Sequence, residues 1–241
     1  MTGVAVCLPT FNEAENVGAM LDAVLRLFDE SGIDGRILVI DDASPDGTAE
    51  IVDEKARGES RVAVLRRPRK EGLGRAYRDG FRRVLDDGAE VVVQMDCDFS
   101  HDPAAIPSLL AALDDADLVL GSRYVRGGGV VGWPRLRQGI SKGGCLYARF
   151  VLGVPVHDLT GGFKAFRSDV LEYLLGRSID ARGYGFQIQM TYEAILAGHR
   201  VREVPIVFRD RVRGSSKMHF GVVTEAALMV PRLRLEARRQ R

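Results

Sequence analysis

Residues 91–103, VVVQMDCDFSHDP, carry the clearest indication of the fold. The segment opens as a short apolar run, as expected of a strand buried on both faces of a sheet. It continues into Asp96 and Asp98, two carboxylates one residue apart, and then into a helix start in which Pro103 suits the first turn. This order indicates a strand–loop–helix unit of an α/β protein, in which ligands bind at the carboxyl ends of the strands.

The same unit recurs through the first 125 residues. Short apolar runs that predict strands occupy residues 4–8, 37–40, 62–65, 91–95 and 118–120. Apolar positions at helical spacing predict helices over 13–30, 46–57, 74–85 and 104–115. We expect Asn12 or Thr10 to cap the first helix. The pattern predicts a doubly wound, Rossmann-like, mostly parallel sheet flanked by helices.

The second half of the chain has a different pattern. Its segment 126–134 (RGGGVVGWP) is glycine-rich, and we expect it to be mobile. Three helices, one strand and a C-terminal amphipathic helix are predicted at 137–152, 168–176, 186–197, 203–209 and 219–241, respectively. The basic segment 211–217 (RVRGSSK) precedes the last helix and has the small residues of a mobile lid over a diphosphate. We therefore predict one domain over 1–218, with 126–218 as an elaboration of 1–125.

Composition excludes several classes of protein. The 241 residues are 46% hydrophobic and 28% charged, which is typical of a globular chain. The three cysteines (Cys7, Cys97 and Cys145) are far apart and suit a reducing compartment rather than a disulfide framework. We expect neither a signal peptide nor a membrane-spanning helix, which needs a run of ~20 mostly apolar residues.

The formal net charge of +1 conceals a strong division. Residues 1–120 contain 13 Lys and Arg against 24 Asp and Glu, whereas residues 121–241 contain 21 against 9. The acidic half suits a metal ion, and the basic half suits phosphates or an anionic membrane surface.

Polar segments follow four of the predicted strands, at 9–13, 41–48, 96–98 and 121–124. Because the carboxyl ends of parallel strands meet at one edge of the sheet, we expect these segments to converge on a phosphate-bearing ligand. Asp96 and Asp98 suit a hard divalent cation that bridges to phosphates. Asp42 suits the donors of a nucleotide base or ribose. Both sets of residues also have an interpretation that needs no ligand. Asp96 and Asp98 would then form a solvated acidic turn, and Asp42 would lie beside an ordinary turn sequence.

Cations of the second half are the expected counterpart: Arg123, Arg137, Arg211 and Lys217. Such side chains grip phosphate oxygens, although single surface cations are usually only solvated. Trp133 is either a packing residue of the protein or a stacking platform for a ligand. We interpret Gly72-Leu73-Gly74 as the start of a helix. The four histidines are scattered and show no spacing of a nucleophile–base pair.

Taken together, a series of motifs over residues 4–218 resembles one family. In chain order they are LPTFNEAEN, VIDDASPDGT, KEGLGRAYRDGF, MDCDFSHDP, GSRY, GWPRLRQGISKG, DLTGGFKAF, GYGFQIQM and EVPIVFRDRVRGSSKM. This series resembles the polyprenol (dolichol) phosphate mannose synthases, which are family 2 glycosyltransferases of the GT-A fold. The likeness implies a GT-A catalytic domain at 1–218, with a nucleotide-sugar half (1–125) and an acceptor-side half (126–218), followed by the basic helix 219–241.

The resemblance also implies the reaction and its residues. Mannose would pass with inversion from GDP-mannose to a polyprenyl (dolichyl) monophosphate, giving the β-linked lipid product and GDP. The guanosine would lie among Pro9, Phe11, Glu13, Ile40 and Asp42, and the ribose, diphosphate and Mg²⁺ or Mn²⁺ would meet Asp96, Cys97 and Asp98. The diphosphate and sugar, or the acceptor phosphate, would be held by Arg123, Arg211 and Lys217. Arg137 and Ser141 would lie near the acceptor phosphate. Asp98, Arg123, Arg211 and Lys217 are thus the implied catalytic set.

Some positions depart from the family pattern. Phe11 replaces a tyrosine, Cys97 a common alanine and Lys142 a common arginine. Ser100 stands where some relatives have glutamine, which leaves a third metal ligand open. The chain lacks the fused membrane helices of some relatives, so we expect a cytoplasmic protein, peripheral on the cytoplasmic face of a membrane. An integral-membrane anchoring subunit is a further partner to test, and no nucleic acid is expected.

Alternatives remain open from the sequence. The nearest is another family 2 enzyme that moves glucose or a different sugar from a UDP-linked donor. A dehalogenase-like phosphohydrolase would carry its aspartate pair after the first strand, and a nucleotidyltransferase would have a glycine-rich loop there. A basic module that binds nucleic acid or membranes would leave the acidic strand ends without a role.

Overall fold

The structure is a computed structural model that describes residues 3–177, 179, 183–210 and 220–239. Its strands within these ranges are β1 (Val4–Thr10), β2 (Gly35–Asp41), β3 (Val62–Arg66), β4 (Val91–Gln94), β5 (Leu118–Ser122), β6 (Gly129–Val131), β7 (Lys164–Arg167), β8 (Val201–Pro205) and β9 (Val207–Arg209). Seven of them form one sheet in the order β3-β2-β1-β4-β7-β5-β8. Only β7 runs antiparallel to its neighbours in this sheet.

Helices cover both faces of the sheet. They are α1 (Ala14–Ser31), α2 (Thr48–Gly58), α3 (Leu73–Asp86), α4 (Ile106–Ala112), α5 (Arg135–Leu152), α6 (Ser168–Leu175), α7 (Gly183–Leu196) and α8 (Phe220–Arg239), with a 3₁₀ turn at Pro103–Ala105. Helices α1, α2 and α4 pack on one face, and α3 and α5 to α8 on the other. The predicted α/β fold is confirmed.

Strand β1 illustrates why the sequence forms this sheet. Its residues Val4 to Leu8 are fully buried, and side chains alternate between the two cores. Val4, Val6 and Leu8 pack toward α1, whereas Ala5 and Cys7 pack toward α3. The period of two places alternate side chains on opposite faces, so a strand covered on both sides is apolar throughout.

The predicted elements of the first half are confirmed with small shifts at their ends, but the predicted caps of α1 are wrong. Neither Thr10 nor Asn12 caps the helix, which has Glu13 at its N-cap with no side-chain hydrogen bond. Instead the loop after β2 supplies the acceptors. Thr48 Oγ1 accepts from the Glu13 amide at 3.0 Å, and Asp46 Oδ2 accepts from the Ala14 amide at 3.0 Å. These contacts tie the loop after β1 to the loop after β2.

The second half departs further from the prediction. The strand predicted at 203–209 is two strands, β8 and β9, separated by the buried Ile206. Ile206 links the two ladders, because its amide donates to the Ser122 carbonyl at 3.0 Å and its carbonyl accepts from the Gly129 amide at 3.0 Å. Strand β9 pairs in parallel with β6. The glycine-rich segment 126–134 was expected to be mobile, but β6 lies inside it and is a paired strand. Strand β7 was also missed because its four residues, KAFR, carry no run of apolar side chains.

The C-terminal helix α8 packs on the domain. Val230, Leu233 and Ala237 are buried in the same core as α5 and α7. Arg234 Nη1 donates to the Leu152 carbonyl at the end of α5 at 2.6 Å. Among the described residues, no helix combines the length and the apolar character that crossing a bilayer requires.

Candidate active site

A cavity of about 340 Å³ lies at the carboxyl ends of the strands. Nine residues that the sequence singled out line it: Pro9, Phe11, Glu13, Asp42, Asp96, Cys97, Asp98, Arg123 and Arg137. The parallel order of β2, β1 and β4 brings their three following loops to one edge, as the topology requires. The predicted convergence of acidic and basic segments is therefore observed.

The loop after β4 presents two carboxylates that differ in exposure. The side chain of Asp96 is one-third exposed to the cavity, at 33%, whereas Asp98 is buried in the cavity wall. Asp98 Oδ1 accepts a hydrogen bond from the Ser100 amide at 3.0 Å, which fixes the turn. The Ser100 hydroxyl is buried, lines the cavity and has no hydrogen-bond partner among the described residues.

Backbone strain is concentrated in the loops around this cavity. Within the described ranges, the non-glycine residues with positive φ are Asn12 (59°), Ala43 (57°) and Phe99 (60°). They follow β1, β2 and β4, the three strands that end at the acidic side of the cavity. Left-handed conformations of this kind are uncommon outside glycine and cluster at functional sites.

His101 was set aside on sequence spacing, yet it lines the cavity. The Asp96 amide donates to its Nδ1 at 3.1 Å, so the ring proton lies on Nε2. The ring stacks on Phe163, and burial holds the pKa of His101 below its ordinary value. A neutral His101 with its proton on Nε2 can donate a hydrogen bond from that atom.

Asp42 lines the cavity but already has a basic partner. Its carboxylate forms a buried ion pair with Arg67, a residue that the sequence did not distinguish. Arg67 also donates to Asp79 at 2.8 Å and to Glu71 at 3.1 Å. Arg67 thus orients the Asp42 carboxylate at the rim that was predicted to contact the nucleoside.

Phe11 lies under a cation at the same rim. The Lys70 ammonium lies 3.7 Å from the centre of the Phe11 ring, and both residues line the cavity. This cation–π contact places a positive charge beside an aromatic face. Lys70 was not predicted as a site residue, although it opens the motif KEGLGRAYRDGF, which was used only for the resemblance.

Arg123 is fixed by a buried carboxylate. Its Nε and Nη2 donate to Asp158 at 2.7 and 2.6 Å, and Nη2 also donates to Thr160 at 2.8 Å. The Arg123 guanidinium holds the pKa of Asp158 below its ordinary value against the opposing effect of burial. Nη1 makes no hydrogen bond with the described residues, and Arg123 lines the cavity.

Arg137 lies on the opposite wall, in the first turn of α5. Its guanidinium lies 4.0 Å from the centre of the Trp133 ring and 3.2 Å from Asp210. Trp133 is buried, packs edge-on against Phe208 with 5.2 Å between ring centres and lines the cavity. Its packing role is therefore observed, and stacking on a ligand stays a prediction.

Gln187 on α7 was not predicted as a site residue. It is only 2% exposed and lines the cavity, and its Oε1 has no partner among the described residues. A Cβ placed on Gly162 would lie 3.5 Å from Gln187 Nε2, 3.5 Å from His101 Cε1 and 3.9 Å from Asp96 Oδ1. These three polar groups therefore surround one small space. The signal in the sequence was the segment GYGFQIQM, which was used only for the resemblance.

Two predicted residues do not line the cavity, and two more fall outside the described residues. Ile40 is fully buried between β2 and α3, where a Cβ on Gly80 would clash with it. Ser141 lies outside the cavity and accepts a hydrogen bond from the Tyr124 hydroxyl at 2.7 Å. Arg211 and Lys217, with the predicted lid 211–217, lie outside the described residues.

The residues present fit a hard divalent cation. Asp96, Asp98 and the unpartnered Ser100 hydroxyl offer oxygen ligands beside an open volume. Within the described part of the chain, no three His, Cys, Asp or Glu side chains gather into a complete metal cage. This donor set suits Mg²⁺ or Mn²⁺, which take one or two carboxylates and complete their coordination with phosphates and water.

Comparison with known proteins identifies the family. The family model described as "Glycosyl transferase family 2" matches residues 5–175. The chain belongs to glycosyltransferase family 2. It is 45% identical over 235 residues to the undecaprenyl-phosphate mannosyltransferase of Micrococcus luteus, with 98% of this chain and 95% of the relative covered.

A second relative of this family 2 glycosyltransferase supports the family assignment, and a solved structure supports the fold. It is 45% identical over 227 residues to the polyprenol monophosphomannose synthase of Mycolicibacterium smegmatis, covering 93% of this chain and 84% of the relative. A solved structure of glucosyl-3-phosphoglycerate synthase from Mycobacterium tuberculosis, in complex with Mn²⁺, UDP-glucose and phosphoglyceric acid, superposes with a TM-score of 0.71 at 20% identity, covering 98% of this chain and 80% of that one. This structural likeness supports the GT-A fold assignment.

Proposed function

We propose that this glycosyltransferase moves mannose from GDP-mannose to a polyprenyl monophosphate, with inversion at the anomeric carbon. The observation that carries the proposal is the near-full-length identity of 45% to two proteins named for mannose transfer to a polyprenyl phosphate. The cavity supports it, because acidic groups for a nucleotide–metal complex and basic groups for phosphates line one volume.

The donor side of the site is the rim formed by Pro9, Phe11, Glu13 and Asp42. Asp42, oriented by Arg67, is suited to accept hydrogen bonds from a base or ribose. The Phe11 ring and the Lys70 ammonium offer a stacking face and a charge for the nucleoside diphosphate. Guanosine is our choice of base because the motifs resemble the polyprenol phosphate mannose synthases, for which the resemblance implies GDP-mannose as the donor.

Asp96 and Asp98 would hold Mg²⁺ or Mn²⁺, with Ser100 as a candidate third oxygen ligand. When bound, such an ion neutralises the charge that develops on a departing nucleoside diphosphate. Arg123 Nη1, and by resemblance Arg211 and Lys217, would add positive charge at the same phosphates.

The acceptor needs no strong general base. A phosphate monoester has its second pKa near ~6 and is already largely dianionic at neutral pH. This agrees with the state of His101, whose Nδ1 accepts the Asp96 amide and whose other nitrogen carries the proton. The basic side chains that line the cavity, Arg123 and Arg137, would bring the two anionic substrates together. Ser141 stays a candidate for the acceptor phosphate on resemblance alone.

A lipid acceptor implies that the reaction takes place at a membrane surface. We expect the enzyme to be peripheral on the cytoplasmic face, where nucleotide sugars are supplied. An integral-membrane anchoring subunit remains a testable partner.

The test is a donor panel. Purified protein is incubated with Mg²⁺ or Mn²⁺, a polyprenyl phosphate and labelled GDP-mannose, UDP-glucose or GDP-glucose, and the lipid product is extracted into organic solvent. We expect label in the organic phase with GDP-mannose, loss of transfer with EDTA, and a β-anomeric product by NMR. Transfer from UDP-glucose alone would instead favour the second candidate, a polyprenyl-phosphate glucosyltransferase.

A further inference from the structure

Arg67 is a buried arginine whose guanidinium is fully engaged by carboxylates. Its side chain is 4% exposed, and each of its three nitrogens donates to a different acid. Nη1 pairs with Asp42, Nη2 donates to Glu71 at 3.1 Å and Nε donates to Asp79 at 2.8 Å. A planar guanidinium that is bonded at all three nitrogens is fixed both in position and in the direction of its plane.

The three carboxylates differ in their exposure to water. The side chain of Asp79 is 45% exposed and that of Glu71 is partly exposed, whereas that of Asp42 is only 7% exposed. Without Arg67, water can solvate the first two carboxylates, but the Asp42 carboxylate would stay buried without its cation. The contact with Asp42 is therefore the one that depends most on Arg67.

This ion pair joins the loops that follow two neighbouring strands. Asp42 comes directly after β2, and Arg67 comes directly after β3. The Arg67 amide also donates to the Asp41 carbonyl at 2.8 Å. Arg67 thus fastens the loop after β3 to the rim of the cavity that holds Asp42.

The Asp42 carboxylate is held by one of its two oxygens. Oδ1 accepts from Arg67, and the described residues make no hydrogen bond to Oδ2. Asp42 lines the cavity, whereas Arg67 does not. Because a carboxylate can only accept hydrogen bonds, a fixed carboxylate at this wall suits a ligand that presents an N–H or O–H group from one direction.

Nucleotide bases differ in what they offer to such an acceptor. On the edge that pairs in nucleic acids, guanine and uracil carry a ring N–H group, whereas adenine and cytosine carry an unprotonated ring nitrogen. A site built to bond one polar group strongly rejects an analogue that lacks the group, because the site is then left with an unpaired buried atom. A fixed carboxylate therefore discriminates between these two classes of base.

We propose that Arg67 is a positioning residue for donor selection, because it fixes the Asp42 carboxylate so that Oδ2 accepts from a base with a ring N–H group. Arg67 acts through Asp42 and does not touch the donor. The inference rests on the proposed function, since it takes Asp42 as a contact of the base. It goes beyond that function by naming the residue that makes the contact selective.

Arg66 supplies a matched control. It is the last residue of β3, directly before Arg67, and neighbouring side chains of an extended chain point to opposite sides. It also pairs with two carboxylates, Glu50 at 2.9 Å and Asp53 at 2.5 Å, but its side chain is half exposed and does not line the cavity. Replacing Arg66 removes the same charge and a similar set of ion pairs without touching Asp42.

The experiment compares the full-length wild type with Arg67→Met, Arg67→Lys and Arg66→Met. Isothermal titration calorimetry at a fixed Mg²⁺ concentration measures the affinity of each protein for GDP, ADP, UDP and CDP. These nucleotides form two pairs, GDP with ADP and UDP with CDP, in which only the first member has the ring N–H group. Circular dichroism and thermal unfolding check the folds. Arg67→Lys keeps the charge but lacks the planar fork, so it decides the question if Arg67→Met does not fold.

We expect wild type and Arg66→Met to prefer GDP to ADP by at least about 100-fold, as for a site that bonds a specific N–H group. Both Arg67 variants should reduce this preference by about tenfold or more, as for the loss of one hydrogen bond to a charged group. A loop that is merely loosened would weaken GDP and ADP alike, because the Lys70 ammonium would meet the diphosphate that both share. An unchanged ratio in the Arg67 variants would overturn the proposal, as would equal binding of the two nucleotides by wild type.

A double-mutant cycle tests whether Arg67 acts through Asp42. In the Asp42→Asn background, which lacks the carboxylate, the further change Arg67→Met should alter the GDP-to-ADP ratio by less than about twofold. An additional loss as large as the one in the wild-type background would mean that Arg67 selects the base by another route, and would overturn the proposal.

The second pair of nucleotides separates this inference from the proposed function. Tighter binding of UDP than of GDP by wild type would refute a GDP-linked donor. It would leave the role of Arg67 to be decided by the UDP-to-CDP ratio under the same criterion, because uracil also has a ring N–H group. Tighter binding of ADP or CDP than of GDP and UDP would refute both.

Discussion

Asp98 and Asp96 have different surroundings although one residue separates them. Asp98 is buried and fixed by the Ser100 amide, whereas Asp96 faces the open cavity. The pair provides one preorganised and one accessible ligand.

Replacing Asp98 by asparagine should keep the turn and remove the charge. The amide oxygen can still accept from the Ser100 amide, so we expect normal thermal unfolding. Transfer should fall by about 10²-fold or more, as expected when charge stabilisation of a leaving group is lost. The labelled-sugar assay measures the rate, and Asp102→Asn is the control because Asp102 only caps Ala104 nearby. Wild-type turnover in Asp98→Asn would refute the metal assignment.

Gln187 is suited to read the sugar end of the donor. Its amide shares one small space with His101 and Asp96, and its Oε1 has no partner among the described residues. We expect Gln187→Leu to lower kcat/KM for the donor by about 5- to 150-fold, the equivalent of about 1–3 kcal/mol for one hydrogen-bonding group. Gln189→Leu, two residues along the same helix and outside the cavity lining, should change it little. Equal kcat/KM in the two variants would remove Gln187 from the site.

Whole elements explain how such side chains are positioned. The loops after β1 and β2 hold each other through Thr48 and Asp46, so the two nucleoside-side loops form one unit. Helix α7 is held to the sheet by Lys164 of β7, whose Nζ donates to the Gln187 carbonyl at 2.8 Å and to Thr191 Oγ1 at 2.9 Å. The missed strand β7 therefore positions the missed residue Gln187.

Lys164 gives a pH dependence of stability. It is fully buried, and burial lowers its pKa from 10.5 to about 7 despite the opposing charge of Asp158. Between these two values the unfolded chain holds the proton that the folded protein releases, so the free energy of unfolding should rise with pH. The slope from this residue is at most about 1.4 kcal/mol per pH unit.

Urea unfolding of wild type and Lys164→Met at pH 6, 8 and 9.5 measures this effect. The stability of wild type relative to Lys164→Met should increase from pH 7 upward and be constant below it. A difference that does not change between pH 6 and 9.5 would show that Lys164 is not the titrating group.

At the scale of the whole molecule, the acidic half and the basic half of the chain contribute different residues to one cavity. The acidic first half contributes Asp42, Asp96 and Asp98, and the basic second half contributes Arg123 and Arg137. The C-terminal helix belongs to the same body, because Leu233 is buried against the core of the second half. The sequence predicted this helix as a basic amphipathic segment, and the structure shows that its described part packs on the domain.

A matched pair of leucines tests this packing. Leu233→Ala should lower the free energy of unfolding by about 2–5 kcal/mol, as expected for a buried leucine. Leu235→Ala on the same helix should change it by less than about 0.5 kcal/mol, because Leu235 is exposed. Denaturant unfolding of both variants measures the difference, and similar effects would mean that α8 does not pack as described.

The sequence by itself determined the elements whose signal is local. Strands β1 to β5 are short apolar runs, and the helices between them follow the 3.6-residue period, so both could be read from neighbouring residues. It also determined which strand ends carry polar groups, and therefore most of the cavity lining.

Only the tertiary structure decided the features that depend on partners distant in the chain. The caps of α1 come from residues more than thirty positions away, Asp42 is held by Arg67, and β6 pairs with β9 across nearly eighty residues. The presence of His101 and Gln187 in the cavity lining likewise depends on which faces the packed elements leave uncovered. The physical reason is that burial and hydrogen bonding depend on residues that folding brings together from distant parts of the chain. A local sequence pattern contains no information about those partners.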